Sequence, residues 1–343
     1  MALEDKLRLP TPQVPFVDII VVNWNSGSHL SSCLEHIRRT AGQRFCVDKI
    51  VVVDNASTDS SITNLTCNDS RLVILRNTRN MGFAAACNQG AKQSRGDYLL
   101  FLNPDIFLRE DTLPLLVGFL SAFANQHIAI CGPRLVDLDG TTMVTCARFP
   151  KARNFFAKAL GLDRLIPRVF RPALMKEWGH DRDRIVDQII GACMLIRRSV
   201  FQQLGGFDER FFVYYEEVDL CLRCKRSGFN VSFVSEASAV HLGGGCSNQV
   251  PGKRLFYLLQ SRILYGLKHF SAASAAILCL LTIFIEPLSR VVLAVNHGSG
   301  MELRDTIEAY WLFWRSTPSL VQNSRQRAQR PVTESVQVSP TAF

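Results

Sequence analysis

Two segments far apart in the chain carry the residue types that chemistry on a diphosphate needs. "LFLNPD" (100–105) is an apolar run ending in Asn103, Pro104 and Asp105. "FFVYYEEVDLCLR" (211–223) sets Glu216, Glu217 and Asp219 at the start of an expected helix. A diphosphate leaving group calls for a cation, and a hard cation calls for oxygen ligands. A hydroxyl nucleophile calls for a base. Asp105, at the end of a hydrophobic strand, would be a costly buried charge without a partner. A Mg²⁺ or Mn²⁺ bridging it to diphosphate oxygens would offset that cost, and Asn103 would second the role or orient the sugar. Glu217 is the expected general base, Glu216 would hold one of the reacting molecules, and Asp219 would fix the loop. His241 would complete the metal shell through an imidazole nitrogen, which suits Mn²⁺ better than Mg²⁺. Each feature has a plainer explanation. Acids in a first helical turn favour the helix dipole whatever the function, Asn-Pro-Asp also makes surface turns, and a lone His is more often structural.

The elements that must position these residues are legible from hydrophobic pattern. "VDIIVV" (17–22), "KIVVVD" (49–54), "RLVILR" (71–76) and "DYLLFL" (97–102) read as strands, the first a continuous apolar run typical of burial on both faces. Between them lie helices from about Ser28 and over 83–94. Strand-helix alternation with short loops predicts right-handed crossovers and a parallel sheet. Ligands in such sheets bind beyond the carboxyl ends of the strands. Those ends carry Asn23 and Asn25, Asp54 with Asn55, and Asn103 with Asp105. Asp54 would accept a hydrogen bond from the imide N–H of uracil or thymine, although Asp-Asn-Ala-Ser is also simply a turn with a cap. Asn80 and Gly82 precede a small-residue helix whose N–H groups would face phosphate. Neither the dinucleotide glycine fingerprint nor the P-loop is present. Further on, an apolar helix is expected over 112–124, a strand in "GACMLIRR", a helix over 216–226 and a last strand over 229–234.

The formal net charge of the 343-residue chain is +9, which suits an anionic membrane surface or a polyanion as neighbour. Nucleic acid is the weaker choice, for want of a recognition motif. The 11 cysteines are scattered and read as small buried hydrophobes in a reducing compartment. The first 16 residues lack the apolar core of a signal peptide, so the enzyme body is expected in the cytoplasm. The segment 148–185 mixes Arg and Lys with Phe and Leu, as an amphipathic lipid-facing segment or a solvated loop would. After about 253 the sequence turns basic and apolar. "SAASAAILCLLTIFI" (271–285) is charge-free but shorter than a span, and Glu286-Pro287 separates it from the apolar "LSRVVLAV". A re-entrant or interfacial hairpin is the favoured reading, with a spanning helix and a buried soluble helix as alternatives. Four regions are expected: an N-terminal extension (1–16), a catalytic domain (17–252), a membrane-associating helical region (253–315) and a disordered tail (316–343).

Taken together, "VVNWNSG", "VVDNASTDSS", "RNMGFAAACNQG", "LFLNPD", "GACMLIRRSVFQQLGGFDERFFVYYEEVDLCLRCKRSGF" and "AVHLGG" resemble the inverting family 2 glycosyltransferases of the GT-A fold, in particular the bacterial rhamnosyltransferase-like branch. The resemblance implies an α/β fold with a mostly parallel, Rossmann-like sheet, helices on both faces, and C-terminal membrane-associating helices. It implies a nucleotide-sugar donor, a divalent metal and a single inverting displacement. By the same resemblance, Asn23, Asn25, Asp54, Asn80, Gly82, Asn103 and Asp105 would line the nucleotide-sugar site. Asp105 and His241 would hold Mg²⁺ or Mn²⁺. Position 103 carries Asn where many relatives have Asp, and Glu217 stands where the base is usually Asp. The implied donor is dTDP-L-rhamnose, with a UDP-hexose as close rival, and the acceptor a lipid-linked glycan at the cytoplasmic face of the inner membrane, in surface polysaccharide or lipopolysaccharide assembly. Two readings of other classes stand beside it. A nucleotidyltransferase would want a lysine in a glycine-rich N-terminal loop, which "NWNSGSHL" lacks. A non-catalytic nucleotide-sugar-binding pseudoenzyme is permitted by the glutamate at 217 and opposed by Asp105, Glu216 and His241.

Overall fold

A computed structural model of the chain describes residues 14–40, 45–65, 69–159, 166, 173–243 and 250–327. The sheet opens with Phe16–Asn23 (β1), helix His29–Arg39 (α1), Cys46–Asp54 (β2) and Leu72–Arg76 (β3). Helix Phe83–Lys92 (α2), Tyr98–Leu102 (β4), Ile106–Leu108 (β5), Thr112–Ser121 (α3) and Ile128–Val136 (β6) follow. Then come Cys146–Ala147 (β7), Ala152–Ala159 (α4), Arg184–Val186 (β8), Gln188–Ile189 (β9), Cys193–Arg197 (β10) and Arg198–Gln203 (α5). The acidic helix is Glu216–Arg226 (α6), and Asn230–His241 (β11) ends the sheet.

The main sheet runs β3-β2-β1-β4-β10-β6-β11-β5, with β8 on the flank of β11. β3, β2, β1 and β4 are mutually parallel, as are β6 and β11, while β10 runs antiparallel between β4 and β6. The sheet is therefore mainly parallel, as the strand-helix alternation predicted. Two apolar layers sandwich it. On one face Leu30, Leu34 and Ile37 of α1 and Leu113, Leu116 and Leu120 of α3 meet the sheet. On the other, Ala84, Ala86 and Cys87 of α2 meet it together with Leu220, Cys221 and Cys224 of α6. Gly90 shows how closely α2 lies: a Cβ there would stand 2.4 Å from Ile20 Cγ2.

The last strand is longer than its sequence pattern. β11 runs to His241, and Ser235 and Ser238, polar in the sequence, are buried within it. The Ser235 N–H and hydroxyl both donate to Asp183 Oδ1, and the Ser238 carbonyl accepts from Thr112 Oγ1 at 2.5 Å. β5 then pairs with its end, setting His241 opposite Ile106, the residue after Asp105.

Beyond the sheet stand Pro251–His269 (α7), Ala272–Leu280 (α8), Glu286–Asn296 (α9) and Gly300–Arg327 (α10). Glu286-Pro287 does not break the helix as expected. A π-helical turn over Leu281–Ile285 joins α8 to α9, so the helix continues to Asn296; such a turn and a proline at the first helical positions are compatible. Ala272–Asn296 is long and apolar enough to cross a membrane by length and composition. Its exposed face carries Ile277, Leu280, Phe284, Leu288, Val292 and Val295, three or four residues apart and hence on one stripe. Its other side is tied to α7, where the buried Arg262 pairs with Glu286 and Thr282. α10 adds exposed Ile307, Trp311 and Trp314. The expected disordered tail is corrected in part: α10 continues as helix to Arg327, and 328–343 lie outside the described residues. So does much of the basic segment 148–185; its described helix α4 packs Phe155 and Phe156 against α7, α8 and α10.

Candidate active site

The carboxyl ends of β1 and β2 are locked by a polar hub. Asn23 is completely buried, and its Nδ2 donates to Asp54 Oδ1 (2.9 Å), Ser57 Oγ (3.0 Å) and Ser61 Oγ (2.9 Å). Its side chain is thus engaged in holding Asp54. The hydrogen bonds to Asp54 from described residues fall on Oδ1. Asn25, with a positive φ of 49°, accepts from the Thr58 N–H at 2.7 Å through Oδ1. An open cleft of about 480 Å³ lies between Asn25–His29 and Thr58–Asp59.

Asn55, which the sequence placed beside Asp54 at a strand end, is a second hub. Its Oδ1 accepts from Asn77 Nδ2 and the Met81 N–H, both at 3.0 Å, and its Nδ2 donates to the Gly82 carbonyl at 3.1 Å. Asn80 Oδ1 accepts from the Gly82 N–H at 2.9 Å. Gly82 has φ 87°, and a Cβ there would stand 2.5 Å from the Phe212 carbonyl oxygen. That carbonyl accepts from the Phe83 N–H at 2.6 Å. The first donor of α2, expected to face phosphate, is therefore taken by the loop that leads into the acidic helix. Glycine is required by this close approach as well as by its backbone angle.

Asp105 and His241 do come together. His241 Nε2 lies 3.5 Å from Asp105 Oδ2, and both residues are more than nine-tenths buried. The Leu242 N–H donates to the Asp105 carbonyl at 3.1 Å, fixing the two strand ends. His241 Nδ1 is sealed from solvent without a hydrogen-bond partner among the described residues. A carboxylate oxygen and an imidazole nitrogen facing each other in this way fit two ligands of one divalent cation. No cluster of three His, Cys, Asp or Glu side chains suited to a metal occurs among the described residues. The remaining positions would fall to diphosphate oxygens and water, the usual habit of Mg²⁺ at phosphate sites. Neither Cys221 nor Cys224 joins such a cluster: both are buried, and burial pushes both thiols up.

Glu217 reaches the same neighbourhood through a connector that sequence reasoning missed. The Asn103 N–H donates to the Ala192 carbonyl at 2.8 Å. A Cβ on the adjacent Gly191 would stand 3.2 Å from Glu217 Cβ. The Asn-Pro-Asp turn and the acidic helix thus border one two-residue strip. Glu216 is buried, Glu217 only in part, yet Oε2 of each is shut off from solvent and has no hydrogen-bond partner among the described residues. Burial raises the Glu216 carboxyl well above the usual range, and the charge of Glu217 adds to the rise. Burial also raises Glu217, against the pull of the N–H groups of Glu217, Val218 and Tyr215. Two adjacent carboxyls out of water do not both ionise freely.

Asp219 plays a different part from its neighbours. It is fully buried and accepts from Arg223 Nε (2.7 Å), Lys268 Nζ (2.6 Å) and His269 Nε2 (2.7 Å). Burial alone would raise its carboxyl, but these three donors hold it below the ordinary value. Asp219 anchors α6 to α7 and is not available to reacting atoms. Its partners on α7 lie 49 and 50 residues downstream, so no local pattern reveals them.

The family described as "Glycosyl transferase family 2" matches residues 18–205, more than half of the chain. A low-salt glycan biosynthesis hexosyltransferase of Haloferax volcanii is 26% identical over 230 residues, covering 66% of each protein. The chain thus spans just under two thirds of that relative's length. An N-acetylglucosaminyl-diphospho-decaprenol L-rhamnosyltransferase of Mycobacterium tuberculosis is 26% identical over 254 residues, covering 69% of this chain and 79% of the relative. Among solved structures, a mannosyltransferase of Pyrobaculum calidifontis in complex with GDP-Man and Mn²⁺ superposes with a TM-score of 0.51 at 18% identity, covering 94% of this chain and 87% of that one. At such identity the likeness is one of fold.

Proposed function

The chain belongs to glycosyl transferase family 2 and has a GT-A fold, and on that premise we propose that it transfers L-rhamnose from dTDP-L-rhamnose to a hydroxyl of a lipid-linked glycan. The proposal includes inversion at the anomeric carbon and a place in surface polysaccharide or lipopolysaccharide assembly. The observation that carries it is that the Asn103–Asp105 turn, whose Asp105 faces His241, and the helix bearing Glu217 border the same Gly191–Ala192 strip at the carboxyl ends of the sheet.

Asp54 reads the pyrimidine imide with Oδ2, while Asn23, Ser57 and Asn25 keep the loop in place. Glu217 accepts the acceptor's hydroxyl proton as the oxygen attacks the anomeric carbon. The new C–O bond forms as the bond to the diphosphate breaks, and the electron pair leaves with the nucleotide. One displacement from the far face inverts the centre. Asp105 and His241 would hold the divalent cation, whose positive charge stabilises the departing diphosphate. Aiming the two reactants and placing charge beforehand supply the balance of the rate.

The acceptor reading draws on the mycobacterial relative, whose name specifies a decaprenol-linked substrate. It also fits the net charge of +9 and the exposed apolar stripe of Ala272–Asn296 flanked by Trp311 and Trp314. We place that stripe in the cytoplasmic leaflet of the inner membrane, with the tryptophans at headgroup level. A UDP-hexose is the second donor reading, favoured by the haloarchaeal hexosyltransferase.

One assay tests the reading. The full chain is mixed with anionic vesicles carrying a polyprenyl-diphosphate glycan, labelled donor and Mn²⁺. Rhamnose from dTDP-L-rhamnose is expected in the lipid fraction, with the protein floating on the vesicles. Faster labelling from a UDP-hexose would replace the donor, and protein left in the aqueous layer would overturn the membrane placement.

A further inference from the structure

The helix α7 touches the segment before Glu217 at three points and Asp219 just after it at a fourth, all from one of its faces. Tyr257, Ser261, Tyr265 and His269 succeed one another at intervals of four residues, which aligns them along the helix. The Tyr257 ring stacks on Phe212, with centroids 4.4 Å apart and planes 18° from parallel. The Ser261 hydroxyl donates to the Val213 carbonyl at 2.8 Å. The Tyr265 ring lies against that of Tyr215 at 5.5 Å. His269, with Lys268, closes on Asp219.

The segment so gripped is strained. Tyr214 and Tyr215 have φ of 70° and 68°, two successive side-chain-bearing residues in the left-handed region. Each such residue costs on the order of 1–3 kcal/mol and persists where its surroundings over-determine it. Tyr215 is the residue from which α6 starts, and Glu217 is in the first turn. The dihedrals of Tyr214 and Tyr215 therefore set where the carboxylate points. At the other end of the grip, Phe212 seats against Gly82, so the turn is fixed between α2 and α7.

We infer that α7 is part of the active site: Tyr257, Ser261 and Tyr265 are positioning residues that hold the Phe212–Tyr215 turn and so aim Glu217. The inference rests on Glu217 being the base. α7 also packs Leu264 and Tyr265 against Phe211 and Val218, as any helix covering a core would, so the test separates aiming from covering.

Ser261→Ala, Tyr257→Leu and Tyr257→Phe are compared with the unaltered full chain and with Glu217→Gln. Ser261→Ala and Tyr257→Leu are expected to lower kcat by about 10- to 100-fold, as small misplacements near reacting atoms do. KM for the donor and the thermal midpoint stay as in the unaltered chain, and Tyr257→Phe, which keeps the stacked ring, restores kcat. The acid limb of the kcat–pH profile moves as well. Glu217 is held up by burial against the Gly191 strip, with Glu216, Tyr215 and Cys221 the ionisable groups around it. A loosened turn returns it toward water, so the limb shifts to lower pH. Unchanged kcat and limb beside an inactive Glu217→Gln would refute the clamp and leave the base standing. A kcat loss that only tracks a fall in thermal midpoint would also overturn it. Turnover retained by Glu217→Gln would remove the base and the clamp together.

Discussion

Glu217→Gln leaves nucleotide-sugar binding intact and cuts sugar transfer by roughly 10²- to 10⁴-fold, the span that a positioned general base contributes. The amide keeps the shape of the side chain and its contact with Gly191 but takes no proton. On the proposed reading donor affinity rests on Asp54 and Asp105 rather than on Glu217, and stays within a factor of two or so of the unaltered chain. The remaining activity loses the acid limb of its pH profile. The sign comes from burial: the Glu217 carboxyl is raised, the base must be ionised, and activity therefore climbs with pH through a limb displaced above the ordinary carboxylate range. Glu217→Asp is the companion variant. It keeps the charge but withdraws it by one methylene, so it lowers kcat less than the amide does and retains the limb. Single-turnover transfer, with donor affinity measured separately, decides both.

Asp105→Ala is expected to remove Mn²⁺-dependent donor binding while sparing the fold. Losing even an outer partner of a metal ligand typically costs 10- to 100-fold in affinity, so losing the ligand itself should cost roughly 100-fold or more. The readout is thermal. A donor at about 100 times its Kd stabilises the folded chain by about 2.7 kcal/mol. In the variant that gain disappears at the same concentration. Without donor, the midpoint of Asp105→Ala stays close to that of the unaltered chain, because the loss of a nearly buried carboxylate also ends its desolvation cost. His241→Ala changes donor binding in the same direction. Equal stabilisation by donor and Mn²⁺ in both variants and in the unaltered chain would show that the cation binds elsewhere.

The sheet was legible where one kind of pattern dominates. β1, β4 and the second half of β2 are apolar runs buried on both faces, and β3 is an apolar run at the half-exposed edge of the sheet. The acidic helix matched its expected bounds, from the carboxylates that open it to Gly228 just beyond it. β6 was missed although it has nine residues, because Gly132 and Pro133 sit inside an otherwise apolar stretch. The end of β11 was missed because its serines read as polar yet are buried, Ser235 through a bond to Asp183, 52 residues away in the sequence. Within the site, Asp105, Glu217 and His241 were readable as residue types at segment ends. The Gly191–Ala192 strip was not, since a glycine chosen to let Glu217 pass carries no chemical mark. Asn23 and Asp219 could not be placed from the sequence for the same reason. A buried polar side chain next to a cleft looks like a ligand group until its hydrogen-bond partners are known, and those came from 31 to 50 residues away.

The most direct measurement is a crystal structure of the full chain with Mn²⁺ and a non-hydrolysable dTDP-sugar, with the metal located by its anomalous scattering. The account predicts one manganese within ligand distance of Asp105 and His241, and the anomeric carbon between that ion and the Glu217 carboxylate. A manganese bound away from Asp105, or a sugar that leaves Glu217 facing only protein, would contradict it.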